Sequence, residues 1–196
     1  MTSPELFLRC AALLSVPALL LVSLTARGQD EAAPEWPKPE DVASPAAVVQ
    51  ATYASIARAP GAPYEWERFH SLFLPGAQLI SNTRQTGGEF RPMSSEDFEA
   101  WIMEVAPPGH PNDRGFTEEQ LWNETRTYGV IATVLSTYQK RFWGQDEVLG
   151  RGINSFQLVK HEDRWWITGL VWDEEPDAGP IPREFGGDPG PPDEDR

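Results

Sequence analysis

Thiol chemistry is all but missing from this chain, whose 196 residues include one cysteine, Cys10. It falls inside an apolar N-terminal stretch, so a chain cleaved beyond it keeps no thiol. Disulfides, thiolate catalysis and a Cys-ligated metal are then excluded, and stability must come from the core alone. Histidine is also scarce: His70, His110 and His161 show neither an H-E-x-x-H motif nor a paired spacing, so no metal site and no cofactor is expected. Lys and Arg number 16 against 30 Asp and Glu, giving a formal charge of -14 without any basic run. A nucleic-acid surface, which needs clustered cations, is excluded. Long apolar runs are missing as well, because Ala11 to Leu24 is interrupted by Ser15, Pro17 and Ser23 and is short for a membrane span.

What is abundant is aromatic. Eight Trp and nine Phe favour a packed core or an aromatic-lined cavity. Arg9, the apolar run and Ala26-Arg27-Gly28 read together as a signal peptide over 1–28, cleaved before Gln29. The mature protein is then secreted or periplasmic, without stable membrane insertion; an uncleaved anchor is the alternative. Residues 29–43 read as a Pro/Glu-rich disordered linker, 44–175 as the folded domain, and 176–196 as an acidic Pro/Gly-rich disordered tail. That tail lacks the Asp-x-Asp-x-Asp-Gly spacing of a calcium loop.

Ser44-Pro45 is a cap followed by proline at the first helical position, and Val48, Val49, Thr52, Tyr53 and Ile56 form a helical stripe ending by Ala59-Pro60-Gly61. A second helix is predicted over 64–73, with Trp66, Phe69, His70 and Phe73 on one face, and a first strand over 78–82. Thr86-Gly87-Gly88 reads as a turn with a short return through Phe90 and Met93. Ser94 or Ser95 caps a third helix over 96–105 that turns Phe98, Trp101, Ile102 and Val105 inward. Strands over 116–127 and 130–142 follow, joined at Tyr128-Gly129. The clearest hairpin is Arg151 to Trp172, two β-rich runs around the polar turn Lys160 to Arg164. This order calls for an α+β fold, a curved antiparallel sheet wrapped on three N-terminal helices.

The element order, with Arg68-Phe69-His70-Ser71-Leu72-Phe73-Leu74-Pro75-Gly76-Ala77, Ala132-Thr133-Val134-Leu135-Ser136-Thr137-Tyr138, Gly152-Ile153-Asn154-Ser155-Phe156 and Arg164-Trp165-Trp166-Ile167, resembles the nuclear transport factor 2-like superfamily, and more narrowly its SnoaL-like bacterial branch. The resemblance spans about 44–174. It implies a cone-shaped α+β barrel with a pocket between the helices and the concave sheet face, and often a homodimer formed through the sheet. It does not by itself imply an activity, since the same fold serves isomerases, dehydratases, cyclases and binding modules.

Interior polar residues are the candidates for such a pocket. His70, on the apolar face of its helix, is the candidate general acid or base; the structural alternative is a packed histidine. By period two, Ser136 and Tyr138 share one strand face, and Asn154 and Phe156 share another. They converge on a ligand, or else Ser136 and Asn154 satisfy each other at a bulge beside Gly152. Tyr53 and Trp66 complete the expected pocket, whereas Glu124 and Arg126 read as a solvated pair. A ketosteroid isomerase-like set would use Tyr53 but finds no carboxylate over 78–82 and an amide at Asn154. A scytalone dehydratase-like pair fails because His110 and His161 lie in loops. The reading is a module that binds a small hydrophobic molecule or mediates assembly, with an isomerase, dehydratase or cyclase using His70 as the alternative. Of the adjacent Trp165 and Trp166 only one can enter the cone, and a second copy is the expected cover for the other.

Overall fold

The computed structural model describes residues 35–81, 87, 89 and 91–188. The expected signal peptide, the first six residues of the expected linker, the end of the tail, Phe90 and most of the turn at 86–88 lie outside the described residues.

Helix α1 (Pro45–Ile56) starts where the sequence demands: the Ser44 side chain accepts the Ala47 N–H at 3.1 Å and Pro45 takes the first turn. It stops earlier than expected, because Arg58 leaves the helical path to form a β-bridge with Phe116 through two backbone hydrogen bonds of 2.8 and 2.9 Å. Helix α2 (Trp66–Ser71) is shorter than predicted at both ends. Strand β1 (Phe73–Ile80) begins directly after it, five residues before the expected Gln78. Pro75-Gly76 is absorbed as an irregularity inside β1, where the register slips between Phe73 and Gln78.

A two-residue strand β2 (Pro92–Met93) leads into α3 (Ser95–Val105). Ser94 and Asp97 close a reciprocal capping box there, each side chain meeting the other's backbone N–H at 3.1 Å. The meander then runs as β3 (Thr117–Tyr128), β4 (Ile131–Arg141), β5 (Val148–His161) and β6 (Arg164–Glu174). The final turn places Glu162 and Asp163 both at positive φ, 51° and 63°, the geometry of a tight two-residue hairpin. One six-stranded sheet results, in the order β2-β1-β6-β5-β4-β3. Every neighbouring pair is antiparallel except β1 with β6, which is parallel.

The concave face follows from strand register. Val134, Phe156 and Leu170 stand in one row across β4, β5 and β6; Ser136, Asn154 and Trp172 stand in the next. The apolar members, Val134, Phe156, Leu170 and Trp172, join Val48, Val49 and Tyr53 of α1 and Phe69 of α2 in one core. Trp165 is the member of the Trp pair that enters this core. Trp166 is partly exposed and lies under the Arg164 guanidinium, 3.5 Å from its ring centroid.

Two segments expected to be patternless are held by long-range contacts. Around a 3-10 turn at Pro39–Val42, Val42 joins the core and buried Asp41 accepts both Nε and Nη2 of Arg68, at 3.0 and 2.7 Å. Beyond β6, Ile181 is buried and a second 3-10 turn (Arg183–Phe185) sets Phe185 against Trp122, while Arg151 meets Asp188 at 2.7 Å. Composition misled at both places because the partners, Arg68, Trp122 and Arg151, are remote in sequence.

Candidate functional site

A one-residue irregularity in β3 decides the chemistry of the concave face. From the Tyr128-Gly129 turn back to Trp122, β3 pairs with β4 in uninterrupted register, with Trp122 opposite Thr137. An extra residue at Leu121 then shifts the pairing, so that Gln120 opposes Tyr138 and Glu118 opposes Lys140. Without this bulge Glu118 would fall opposite Arg141, on the outer face. With it, Glu118 turns inward. Trp122 keeps the outer phase and is the surface on which Phe185 and Gly186 pack.

Glycines on β5 open the way for two further side chains. Gly152 sits between Tyr138 and Glu174 in the same cross-strand row, and a Cβ there would lie 2.6 Å from the Tyr138 hydroxyl. Gly150 lies opposite Lys140, and its Cβ would lie 2.7 Å from Lys140 Cε. The bare strand lets both side chains cross β5 to reach β6. Tyr138 donates to Glu174 Oε1 at 3.0 Å, and Lys140 Nζ donates to both carboxylate oxygens at 2.6 and 2.7 Å.

These groups form the polar end of a cavity of about 480 Å³ between α1, α3 and the sheet. Tyr53, Glu118, Tyr138, Lys140, Asn154 and Glu174 supply that end. The rest of the wall is apolar and aromatic: Ile56, Tyr64, Phe98, Trp101, Ile102, Phe116, Phe156, Leu170 and Trp172 among others. The inward residues read from the α3 stripe are thus cavity wall, and Val105 at its end is 60 % exposed because the wall there reaches solvent.

The expected pocket residues divide. Tyr53, Tyr138, Asn154 and Phe156 line the cavity. Ser136 is fully buried behind it: its Oγ shares a 2.7 Å hydrogen bond with the Tyr53 hydroxyl and accepts Gln120 Nε2 at 2.7 Å. It bonds Tyr53 and is not part of the cavity wall. Trp66 packs against Tyr64, Phe69 and Phe98 in the helical layer. His70 is not part of the wall either. Its Nε2 meets Glu99 Oε2 at 2.7 Å, tying α2 to α3 away from the cavity, and its ring stacks on Trp66 at 6.2 Å. The apolar stripe that drew attention to His70 is real, but an edge position on that stripe meets the neighbouring helix. Glu124 and Arg126 pair with each other at 2.6 Å at the surface.

Glu118 was missed by the sequence reading and carries the clearest perturbation. Asn154 Nδ2 donates both to Glu118 Oε1 at 3.2 Å and to the Tyr53 hydroxyl at 3.1 Å. The second carboxyl oxygen has no protein partner among the described residues. Desolvation pushes the Glu118 carboxyl from 4.5 up to about 7, and the nearby Glu174 charge adds to the rise, against the Asn154 hydrogen bond and the Lys140 charge. Burial likewise raises the Tyr53 and Tyr138 hydroxyls far above the usual phenol range, with the Glu118 charge the next cause in each case. Both tyrosines therefore remain protonated donors at any physiological pH.

Among the described residues no group of three His, Cys, Asp or Glu could hold a metal ion, and no helix is long and apolar enough to cross a membrane. No family model and no curated protein matches the sequence. Solved structures do. A protein of unknown function with a cystatin-like fold from Nostoc punctiforme superposes with a TM-score of 0.51 at 11 % identity, over 66 % of this chain and 86 % of that one. Nuclear transport factor 2-like proteins of unknown function from Shewanella baltica and Silicibacter pomeroyi each give a TM-score of 0.45, at 14 % and 17 % identity, over 66 % of this chain and 89 % and 92 % of theirs. Element order, sheet register and the superposition on the Nostoc protein together establish a cystatin-like α+β fold for this chain.

Proposed function

We propose that the protein binds a small, largely apolar molecule in the cavity between α1, α3 and the sheet, with the molecule's polar group against Glu118, Asn154 and Tyr53. The supporting observation is the division of the wall. An aromatic and aliphatic enclosure of about 480 Å³ carries its polar groups at one end, and they are preorganised by bonds to one another. Sites for small ligands have this size and this ratio of apolar wall to convergent polar groups.

The test is uptake of the neutral fluorophore N-phenyl-1-naphthylamine. Wild-type protein is expected to enhance its emission saturably. Ile102→Trp, which fills the cavity from the half-buried α3 wall, is expected to weaken the dye at least tenfold while leaving the circular dichroism spectrum intact. Equal uptake by both proteins would remove the cavity as the site.

A second reading, proton-transfer catalysis on such a ligand, has one observation in its favour. The base once assigned to His70 passes to Glu118, whose carboxyl titrates near neutrality beside the Tyr53 hydroxyl, a combination suited to moving a proton next to a developing oxyanion. Solvent deuterium incorporation into a bound ketone, absent in Glu118→Gln, is the measurement that supports it; no incorporation with wild type removes it.

A further inference from the structure

We infer that the polar end of the cavity is built for a cation, so that the ligand is an apolar amine carried as its ammonium ion. This inference rests on the cavity being a ligand site and specifies the ligand's class. Three ionisable side chains of opposite sign face the polar end: Glu118 from β3, Lys140 from β4 and Glu174 from β6. Lys140 is committed, since its ammonium is bonded to both oxygens of Glu174. The other polar groups there, Tyr53 from α1, Tyr138 from β4 and Asn154 from β5, are neutral. Glu118 is therefore left with one neutral amide donor on Oε1 and an unmatched oxygen at the cavity surface.

A neutral hydroxyl or carbonyl would leave that charge uncompensated, and a carboxylate ligand would repel it. An ammonium would supply the missing N–H donor and the missing positive charge together, a charge-assisted bond beside a largely apolar wall. The rest of the wall suits the same guest. Tyr64, Phe98, Trp101, Phe116 and Trp172 present π-systems to the cavity, and aromatic faces attract alkylammonium groups as they do not attract neutral isosteres. The net charge of -14 draws cations toward the protein and repels anions.

Proton linkage gives the inference a sign. Bound cation favours ionised Glu118, so an amine binds more tightly as pH rises through about 7, whereas a neutral acceptor held by the protonated carboxyl would bind more tightly as pH falls. The experiment displaces N-phenyl-1-naphthylamine from the full chain with 1-naphthylmethylamine or its neutral counterpart 1-naphthylmethanol, at pH 6 and pH 8. The amine is expected to displace the dye about tenfold better than the alcohol at pH 8, with the advantage shrinking several-fold at pH 6. In Glu118→Gln the two compounds are expected to become equivalent at both pH values, and the variant's own dye uptake reports that its cavity is intact. An alcohol equal to the amine at pH 8, or an advantage that survives Glu118→Gln, overturns the inference. Dye uptake without displacement by either compound overturns the amine and leaves the cavity standing. No dye uptake by wild type overturns the cavity reading and the inference with it.

Discussion

Asp113 and Glu118 stand five residues apart, each with a cation nearby, and their environments drive them in opposite directions. Asp113 accepts the Arg58 guanidinium at 2.8 Å and the backbone N–H groups of Gly61, Gly115 and Gly109 at 2.8, 2.9 and 3.0 Å. Those four donors, Arg58 first, hold its carboxyl far below the usual carboxylate range. Glu118 receives one amide bond, and its nearest cation is already engaged by Glu174, so desolvation prevails and its carboxyl rises to about 7. A fully bonded carboxylate is a structural staple. One left short of donors at the wall of a cavity is a candidate binding group.

The staple side of this contrast gives the largest expected effect. Arg58 also reaches the Ala106 carbonyl and packs over Tyr64, so Asp113 ties the end of α1, the loop after α3 and the start of β3 together beside the cavity. Asp113→Ala leaves a buried guanidinium and three N–H groups without their acceptor. The midpoint of thermal unfolding is expected to fall by on the order of 10 °C. A change of a degree or two would show that the loop holds without it.

Glu118→Gln is expected to act the other way. Folding raises this carboxyl's affinity for its proton, so the folded state binds more protons than the unfolded chain between pH 4.5 and about 7. The stability contributed by this group is therefore fully present below about 4.5 and is lost as pH rises through 7, by up to roughly 3 kcal/mol. The variant should gain on wild type across that window in urea melts at a series of pH values. Parallel profiles would mean that the carboxyl is not desolvated as described.

The smallest effect belongs to His70. Its bond to Glu99 lies at a partly exposed helix contact, so His70→Ala is expected to cost about 1 kcal/mol or less and to leave dye uptake within about twofold of wild type. A tenfold loss of uptake would restore His70 to the site.

Local signals were legible where one residue and its near neighbours settle the outcome. The Ser44-Pro45 cap, the Ser94 capping box, the α3 stripe and the meander with its final hairpin all follow from patterns within a few turns or strands. Tyr53, Tyr138, Asn154 and Phe156 were reachable by the same route, since strand alternation and helix period place them inward. His70 lies outside the cavity wall, because periodicity identifies a face without saying whether that face meets a cavity or another helix. Arg68, Trp122 and Arg151 hold segments whose own composition shows no reason to order.

The sequence by itself determined the fold class and the concave face, because propensity, period and composition act over short stretches of chain. Tertiary structure alone decided which charged groups face the cavity. A single extra residue at Leu121 inverts the face on which Glu118 stands, and Gly150 and Gly152 matter only because Lys140 and Tyr138 lie opposite them. The charge balance of the cavity is summed over β3, β4 and β6, where Lys140 neutralises Glu174 and leaves Glu118 uncompensated. Register and charge pairing depend on which strands meet, and that is settled only when the whole sheet closes on its helices.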